Sequence, residues 1–551
     1  MHDHGTSDYR WHGLRRTMGR IGWMAATALA LPLAGRAAIE ADSFLQTAGT
    51  VIKDHHGAGR VVTLRGTNLG GWMMQEDWMS PNGYGRVGRR SWITSAGADG
   101  LTINLCDWCT FGRLELASSG QVTIEVSNEG KAWSAVRVRQ ITPADGRYEF
   151  DLDRGYTARW IRLRRADGAP IPPFEAELEQ NDDYTVRMAL QERFGGAAAD
   201  RLIRGYQRTW IDAHDLDTIK SWGMNVVRAP MNWLDFMTPE GKWKADAFAE
   251  LDWLVSACAA RSLYVILDLH AVPGGASPWA SSGHAGDDGT GQNPNGFWTN
   301  PGYQLMAEHI WHQLAEHFRG NPTIAGYDLV NEPLERFDER PQAGETYSAA
   351  VRAKSAYLDR LYRAVRAVDP DHIVFIAAYV VAPPNSQAYI GTPSGFLGIT
   401  PPSYHHWTNV VYQTHHYDMT HPQDHDAQAR LAAEALADIA RHQREWNVPI
   451  YAGEYTFYHF YDVWETWMKG LNGLHVSWTN WTYKVRGTAD DPAGVDWGFF
   501  HTNRNPVPDV ARDSAETIAA KWAKFGTDQF QRNDALIEVV SRCAAAADTA
   551  P

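Results

Sequence analysis

The chain has 551 residues and a formal net charge of −14, and 44% of its residues are hydrophobic while 21% are charged. This length and composition argue against disorder and predict one large domain with a smaller one. The negative charge argues against nucleic acid or an anionic membrane as partner, since both need clustered Lys and Arg. The 24 Trp, 22 Tyr and 18 Phe suit stacking on sugar rings, or simply a large core.

The first 37 residues have the pattern of a secretory signal peptide. Four arginines precede an apolar run at 21–33, and small residues flank Arg36, which predicts cleavage near Ala37. The run is too short to cross a bilayer as a helix, which needs about 20 residues. We therefore expect a secreted or periplasmic protein. An oxidising compartment would permit a disulfide between Cys106 and Cys109, and we expect at most a structural role for Cys258 and Cys543.

Strand-like runs alternate with helical segments after the leader. The eight strand-like runs are Val61–Leu64, Asn225–Arg228, Leu263–His270, Ile324–Glu332, His372–Tyr379, Asn409–Tyr417, Pro449–Tyr455 and His475–Tyr483. Amphipathic helical stretches include Phe248–Arg261, Tyr303–Phe318, Tyr347–Val368, Asp426–Trp446 and Asp509–Phe525. This alternation predicts an α/β protein with a parallel (β/α)8 TIM barrel, whose strands are apolar because both faces are buried.

Residues 82–182 interrupt this alternation. Short runs of alternating polar and apolar residues, separated by Gly and Asp, predict a small antiparallel β-sandwich. Because the segment follows the first strand, we expect it at the rim of the barrel where substrates bind. The predicted organisation is a leader at 1–37, a barrel at 38–81 and 183–527, the inserted sandwich at 82–182, and a tail at 528–551 with one weak helix and no assigned role.

Two glutamates close predicted strands. Glu332, in Asn331-Glu332-Pro333, ends the fourth strand, and Glu454 ends the seventh. The carboxyl ends of barrel strands share one mouth, so both carboxylates should point into it. Glycoside cleavage needs such a pair, one protonated to assist the leaving oxygen and one ionised to attack the anomeric carbon. A separation of about 5–5.5 Å would predict retention of configuration, and about 6.5–9.5 Å inversion.

Six short motifs lie in order on the predicted strands. They are Arg65-Gly-Thr-Asn-Leu-Gly-Gly-Trp72, Gly223-Met-Asn-Val-Val-Arg228-Ala-Pro, Asp268-Leu-His270, Asn331-Glu-Pro, His415-His-Tyr417 and Gly453-Glu454. Each alone is weak evidence. Together they span the chain from Arg65 to about Phe500 outside the insert, and over this span the chain resembles glycoside hydrolase family 5, most closely its exo-β-1,3-glucanase branch. The resemblance implies a retaining glycosidase with neither cofactor nor metal.

The resemblance also implies roles for the matching residues. Glu332 is implied as the acid/base and Glu454 as the nucleophile. Arg228 would keep Glu454 ionised, since a nearby guanidinium favours the charged carboxylate. Asn331 would bind the 2-hydroxyl of the sugar, an interaction that strengthens in the transition state. Tyr417 would donate a hydrogen bond to the nucleophile.

Other matching residues are expected in the sugar pocket. His270 and His415 would line it, and Glu76 matches the exo-glucanase carboxylate that holds hydroxyls of the terminal sugar. The family ends its eighth strand with a Trp platform just before a Lys, where this chain has Tyr483. Either Trp481 or Tyr483 would therefore form the platform.

The insert resembles, more faintly, the discoidin-like family 32 carbohydrate-binding modules, at 126–133 and 158–163. It is shorter than those modules, so sugar binding and a purely structural rim are equal alternatives. Six histidines lie between His405 and His425, but their spacing does not repeat a ligand pattern, and we predict no metal there.

We therefore predict a monomeric exo-β-1,3-glucanase that acts by double displacement on β-glucan polysaccharide or oligosaccharide, with neither nucleic acid nor membrane as a partner. An endo-β-1,4-glucanase, a mannanase and a β-glucosidase share the mechanism and remain alternatives. A carbohydrate-binding barrel without catalysis is the alternative of another class.

Overall fold

A computed structural model describes most of the chain between residues 39 and 545. The described residues are 39–40, 43–83, 90–97, 100–117, 122–127, 130–144, 146–178, 181–277, 279–284, 296–334, 342–378, 395–419, 421–487 and 496–545. The predicted leader lies outside them, as do the side chains of Cys106 and Cys109. Cys258 and Cys543 are buried free thiols. No helix in these ranges is long and apolar enough to cross a membrane.

Eight parallel strands close into a barrel. They are Arg65–Asn68, Val226–Asn232, Tyr264–Ala271, Ile324–Asp328, Ile373–Ala377, Val410–His416, Ile450–Tyr455 and Ser477–Asn480. Every residue in them is buried, as expected for strands covered on both faces. The predicted barrel is confirmed, and all predicted strands except the first overlap the observed ones.

The first barrel strand lies after the predicted run Val61–Leu64. The strand itself is polar, and hydrogen bonds inside the barrel satisfy its side chains. Asn68 Nδ2 donates to the carbonyl oxygens of Gly453 (2.8 Å) and Asn480 (2.9 Å). Buried polar groups are tolerated when they are bonded in this way. The position predicted from hydropathy was therefore wrong, because the residues of this strand are polar although they lie inside the barrel.

Helices surround the barrel. They are Asp183–Phe194, Gly196–Trp210, Ala213–Ser221, Ala249–Ala259, Pro301–Phe318, Ala349–Arg366, Pro402–His405, His425–Trp446, Tyr461–Gly473, Ala515–Trp522 and Asp534–Ala544. The predicted helix Asp509–Phe525 is shorter than expected, because Ser514 caps its start by accepting a hydrogen bond from the Thr517 N–H. The helix Asp534–Ala544 in the predicted tail buries Leu536 and Val540 in the main core, so this helix packs with the barrel.

The segment after the first barrel strand forms antiparallel strands in one hydrogen-bonded sheet. They are Arg90–Ile93, Ser95–Gly97, Gly100–Leu116, Val122–Ser127, Ser134–Ala135, Val138–Ala144, Arg147–Arg165 and Glu175–Leu178. The sheet has its own core, which includes Ile103, Phe111 and Phe150. Asn82 Nδ2 donates to the Asn181 carbonyl oxygen (2.5 Å) and joins the two stems of the insert. A two-layered, discoidin-like form stays a prediction.

Two small antiparallel pairs complete the described strands. Gln46–Ala48 pairs with Val51–Lys53 before the barrel, and Phe500–His501 pairs with Gln531–Arg532 after it.

Candidate active site

Glu332 and Glu454 meet at the carboxyl end of the barrel. Glu454 lies in the seventh strand and pairs with His415 of the sixth, while Glu332 follows the fourth strand with a backbone φ of 43°. A non-glycine residue with left-handed backbone is strained, and such residues cluster at functional sites. Both glutamates are buried. A carboxylate oxygen of each lies within 4.8 Å of the other.

His415 bridges these two carboxylates. Its Nδ1 lies 2.7 Å from Glu332 Oε1 and 3.3 Å from Glu454 Oε2. Gln413 Nε2 donates to His415 Nε2 (2.8 Å), which leaves the ring proton on Nδ1. Burial lowers the pKa of His415 to about 3, although the negative charge of Glu454 opposes this shift. A neutral imidazole therefore shares one N–H between the two carboxylates.

Arg228 lies beneath the carboxylates with a fully buried side chain. Its nitrogens donate to Asp328 Oδ2 (2.9 Å), Asn68 Oδ1 (3.0 Å), Glu454 Oε1 (2.7 Å) and Asn331 Oδ1 (2.9 Å), and its Nη2 forms an ion pair with Asp268 Oδ2 (3.1 Å). Burial opposes the charge of Arg228, but the surrounding carboxylates outweigh it and raise its pKa. Burial raises the pKa of Asp268 and Asp328 to about 7, although the guanidinium acts against it. One cation thus holds three buried carboxyl groups.

Each oxygen of Glu454 has a strong donor. Arg228 Nη1 donates to Oε1 at 2.7 Å, and the Tyr417 hydroxyl donates to Oε2 at 2.9 Å. Hydrogen bonds to an ionised acceptor are stronger than neutral ones and favour the charged form. The two hydrogen bonds therefore fix the carboxyl group of Glu454 in one orientation.

A chain of polar groups orients Asn331. His270 Nδ1 lies 2.6 Å from Asp268 Oδ2, and burial lowers the pKa of His270 to about 3, so the neutral ring donates to Asp268. His270 Nε2 then accepts from Asn331 Nδ2 (3.1 Å). Arg228 donates to the amide oxygen of Asn331 from the other side. The amide is held at both ends, and Asn331 lines the cavity described next.

A cavity that is open to solvent lies at the two glutamates, and its space, counted together with the adjoining solvent, is about 460 Å³. Its walls are Glu76, Trp78, His270, Trp279, Ser281, Asn331, Glu332, Tyr417, Met419, Glu454, Trp481 and Trp497. Glu76 Oε2 accepts a hydrogen bond from Trp78 Nε1 (2.7 Å). The Trp481 ring stacks on His270, with ring centroids 5.4 Å apart. Carboxylates and aromatic faces together suit a sugar.

Two residues predicted for the sugar pocket, Tyr483 and His415, are not in the cavity wall. Tyr483 is 1% exposed in the main core and donates its hydroxyl to Asp215 Oδ1 (2.8 Å), so its prediction as a platform was wrong. Trp481 lies in the cavity and is the remaining platform candidate. His415 is not in the cavity wall and contacts both glutamates instead, which corrects its prediction as a pocket residue. Arg228 is also outside the wall and lies beside Glu454, the neighbour that the resemblance implies for it.

Sequence reasoning missed five residues of the cavity wall. They are Trp78, Trp279, Ser281, Met419 and Trp497. All of them lie on loops beyond the barrel strands, which is where barrel enzymes place their binding residues. A search for Trp on these loops would have found three of them, whereas Ser281 and Met419 carry no signal in the sequence.

Glu332, His415 and Glu454 also form a set whose ligand atoms lie close enough together to hold a metal ion. The fully buried Arg228 guanidinium, 2.7 Å from Glu454, places a positive charge against such an ion. The charge balance therefore favours a carboxylate pair over a metal centre.

The closed barrel and the buried carboxylate pair at its mouth define the class of (β/α)8 barrels that present two glutamates on different strands. The chain belongs to the cellulase family, glycosyl hydrolase family 5, whose model matches residues 196–487. A β-xylosidase from Phanerodontia chrysosporium is 27% identical over 43% of this chain and 44% of its own. A glucan 1,3-β-glucosidase from Pichia angusta is 26% identical over 37% of this chain and 46% of its own. The matches thus span less than half of either relative.

Among solved structures, an endogalactoceramidase matches 87% of this chain and 84% of its own with 15% identity and a TM-score of 0.45.

Proposed function

We propose that this protein is a retaining glycoside hydrolase with Glu332 as acid/base and Glu454 as nucleophile. The observation that carries the proposal is the spacing of these buried carboxylates, since one oxygen of Glu332 lies within 4.8 Å of one oxygen of Glu454. Retaining enzymes hold the pair about 5–5.5 Å apart, whereas inverting enzymes need about 6.5–9.5 Å to admit a water. The spacing supports double displacement through a covalent intermediate.

In the first step Glu332 gives its proton to the leaving glycosidic oxygen. The Glu454 carboxylate attacks the anomeric carbon, the glycosidic bond breaks, and a glycosyl ester forms. In the second step Glu332, now ionised, takes a proton from water. The water oxygen attacks the anomeric carbon and releases Glu454 as a carboxylate, so that two inversions give net retention.

The neighbours of the pair support both steps. His415 donates its shared N–H to Glu332 once that residue has lost its proton. Arg228 and Tyr417 each donate to one oxygen of Glu454 and orient it for attack on the anomeric carbon. Asn331, which Arg228 and His270 hold, is the proposed partner of the 2-hydroxyl, a contact that strengthens as the oxocarbenium-like transition state forms.

The proposed substrate is a β-1,3-glucan, cut from its end. The cavity walls come from the loops after the first, third, sixth and eighth strands, for example Glu76, Trp279, Met419 and Trp497. A cavity with walls on several sides suits the end of a polysaccharide chain better than the middle of one. Glu76, buried and bonded to Trp78, offers a carboxylate to sugar hydroxyls. The name of the Pichia angusta relative supports the same linkage.

The name of the Phanerodontia chrysosporium relative supports a second candidate, a β-xylosidase with the same mechanism. A xyloside differs from a glucoside by the missing hydroxymethyl group, so the same carboxylates would serve it.

We also propose that the protein is exported after cleavage near Ala37 and acts as a monomer. The charged and apolar pattern of residues 1–37 supports export. Sugar binding by the insert and a structural rim remain the two proposals for that sheet.

The test uses Glu454→Gln, Glu332→Gln and the exposed control Glu316→Gln. Laminarin, carboxymethyl cellulose, mannan, and aryl β-glucosides and β-xylosides form the substrate panel. We expect the first two variants to lose turnover and the control to keep it. We expect azide to restore activity to Glu454→Ala and to yield a glycosyl azide of inverted configuration. Near-normal turnover in either active-site variant, or inversion in the wild-type product by NMR, would refute the assignment.

A further inference from the structure

The inserted sheet reaches the wall of the cavity through one arginine. Arg159, in the long strand Arg147–Arg165, is 7% exposed, and its Nη1 donates to the main-chain oxygen of Met419 at 3.1 Å. Met419 lines the cavity and follows closely after Tyr417, whose hydroxyl binds Glu454. Arg159 of the insert thus binds the same short piece of main chain that carries Tyr417, the residue whose hydroxyl contacts the proposed nucleophile.

The geometry of the sheet aims Arg159 at the barrel. In the pairing with strand Gly100–Leu116, Ala158 opposes Cys109 but Trp160 opposes Asn104, so the register breaks at Arg159. Such irregularities redirect a side chain out of the regular alternation of the sheet. In the same strand the Arg165 side chain is 31% exposed and pairs with nearby Asp167.

Met419 depends on its main chain for its place in the wall. Its side chain packs against the aromatic cluster of Trp78, Trp279, Tyr417, Trp481 and Trp497. A methionine is unbranched and adapts to irregular space, so its own rotamers do not fix it. A hydrogen bond from a guanidinium to its carbonyl is charge-assisted and stronger than a neutral one. The hydrogen bond from Arg159 is thus one of the contacts that hold the main chain from which the thioether projects.

We propose that Arg159 is a positioning residue through which the insert sets the shape of the sugar cavity. It holds the main chain of Met419 so that the apolar thioether packs against the C–H face of the bound sugar or its leaving group. The inserted sheet is in this view part of the substrate site. The inference rests on the proposed glycosidase function.

The experiment compares Arg159→Met, Arg159→Lys, Met419→Ala and the double variant Arg159→Met/Met419→Ala, with Arg165→Met as the matched control. Steady-state kinetics with laminaribiose and 4-nitrophenyl β-glucoside give KM and kcat. Quenching of tryptophan fluorescence by the same compounds gives Kd without requiring turnover. Thermal melting checks that each variant is folded.

We expect Arg159→Met to raise KM and Kd about tenfold, the scale of one hydrogen bond to a charged group. We expect kcat to stay within about twofold, since the proposal gives Arg159 a role in binding and none in the chemical step. Arg159→Lys should lie between wild type and Arg159→Met. The double variant should match Met419→Ala, because Arg159 acts through the residue already truncated.

Several results would overturn the proposal. The first is that Arg159→Met has the same KM and Kd as Arg165→Met. The second is that the effects of the two substitutions add in the double variant. The third is that either Arg159 variant melts at a lower temperature while its folded fraction keeps the wild-type KM and Kd. Wild-type binding without turnover would refute the proposed function and leave the Kd comparison to decide the role of Arg159. Neither binding nor turnover in the wild type would remove both proposals.

Discussion

Replacing Tyr417 by Phe deletes one hydroxyl from the proposed catalytic centre and leaves the ring in place. That hydroxyl donates to Glu454 Oε2 at 2.9 Å, and both residues are buried. A hydrogen bond to a charged group contributes about 1.5–3 kcal/mol. Since about 1.4 kcal/mol corresponds to a factor of ten in rate, kcat/KM should fall about 10- to 150-fold.

The assay is kcat/KM for 4-nitrophenyl β-glucoside, converted to a loss of transition-state stabilisation. Tyr412→Phe is the matched control, because it deletes a buried hydroxyl from the adjoining sixth strand that donates to the Thr400 carbonyl (2.8 Å) away from the glutamates. The control should lose stability and keep its rate. If Tyr417→Phe stays within about twofold of wild type, or loses no more than the control, Tyr417 does not support the nucleophile.

Two further predictions concern buried charges. Arg228→Met leaves Asp268, Asp328 and Glu454 without their shared cation. We expect the free energy of unfolding, measured by urea titration, to fall by about 3–5 kcal/mol. A loss below about 1 kcal/mol would contradict this expectation. Burial lowers the pKa of Lys484 to about 8, below its ordinary value near 10.4. The folded state then binds fewer protons than the unfolded state between these values, so this group makes stability rise with pH across that window. The melting temperature of Lys484→Met relative to wild type should fall from pH 8 to pH 10, and a constant difference would refute the reasoning.

The order of the barrel and the meeting of Glu332 with Glu454 were predictable from local sequence. Apolar runs mark most barrel strands because these strands are buried on both faces. Residues at the carboxyl ends of the parallel strands all lie at the same mouth of the barrel. Two glutamates at strand ends are therefore neighbours whatever the conformation of the loops. The first strand escaped this reasoning because Asn68 and its neighbours are polar and find their partners inside the barrel.

The choice between Trp481 and Tyr483 needed the structure. The two residues are close in sequence and both are aromatic, yet Trp481 faces the cavity while Tyr483 bonds to Asp215 in the core. Hydropathy does not separate them, since the difference lies in which neighbours surround each ring.

By itself, the sequence determined the barrel, its inserted β-rich segment and the pair of glutamates, because hydropathy period and strand ends are local properties of the chain. Only the tertiary structure decided that the two carboxylates lie within 4.8 Å, that Arg228 serves three carboxyl groups, and that Arg159 reaches Met419 across 260 positions of the chain. Those features depend on distances between residues remote in sequence, and such distances exist only once the barrel has closed.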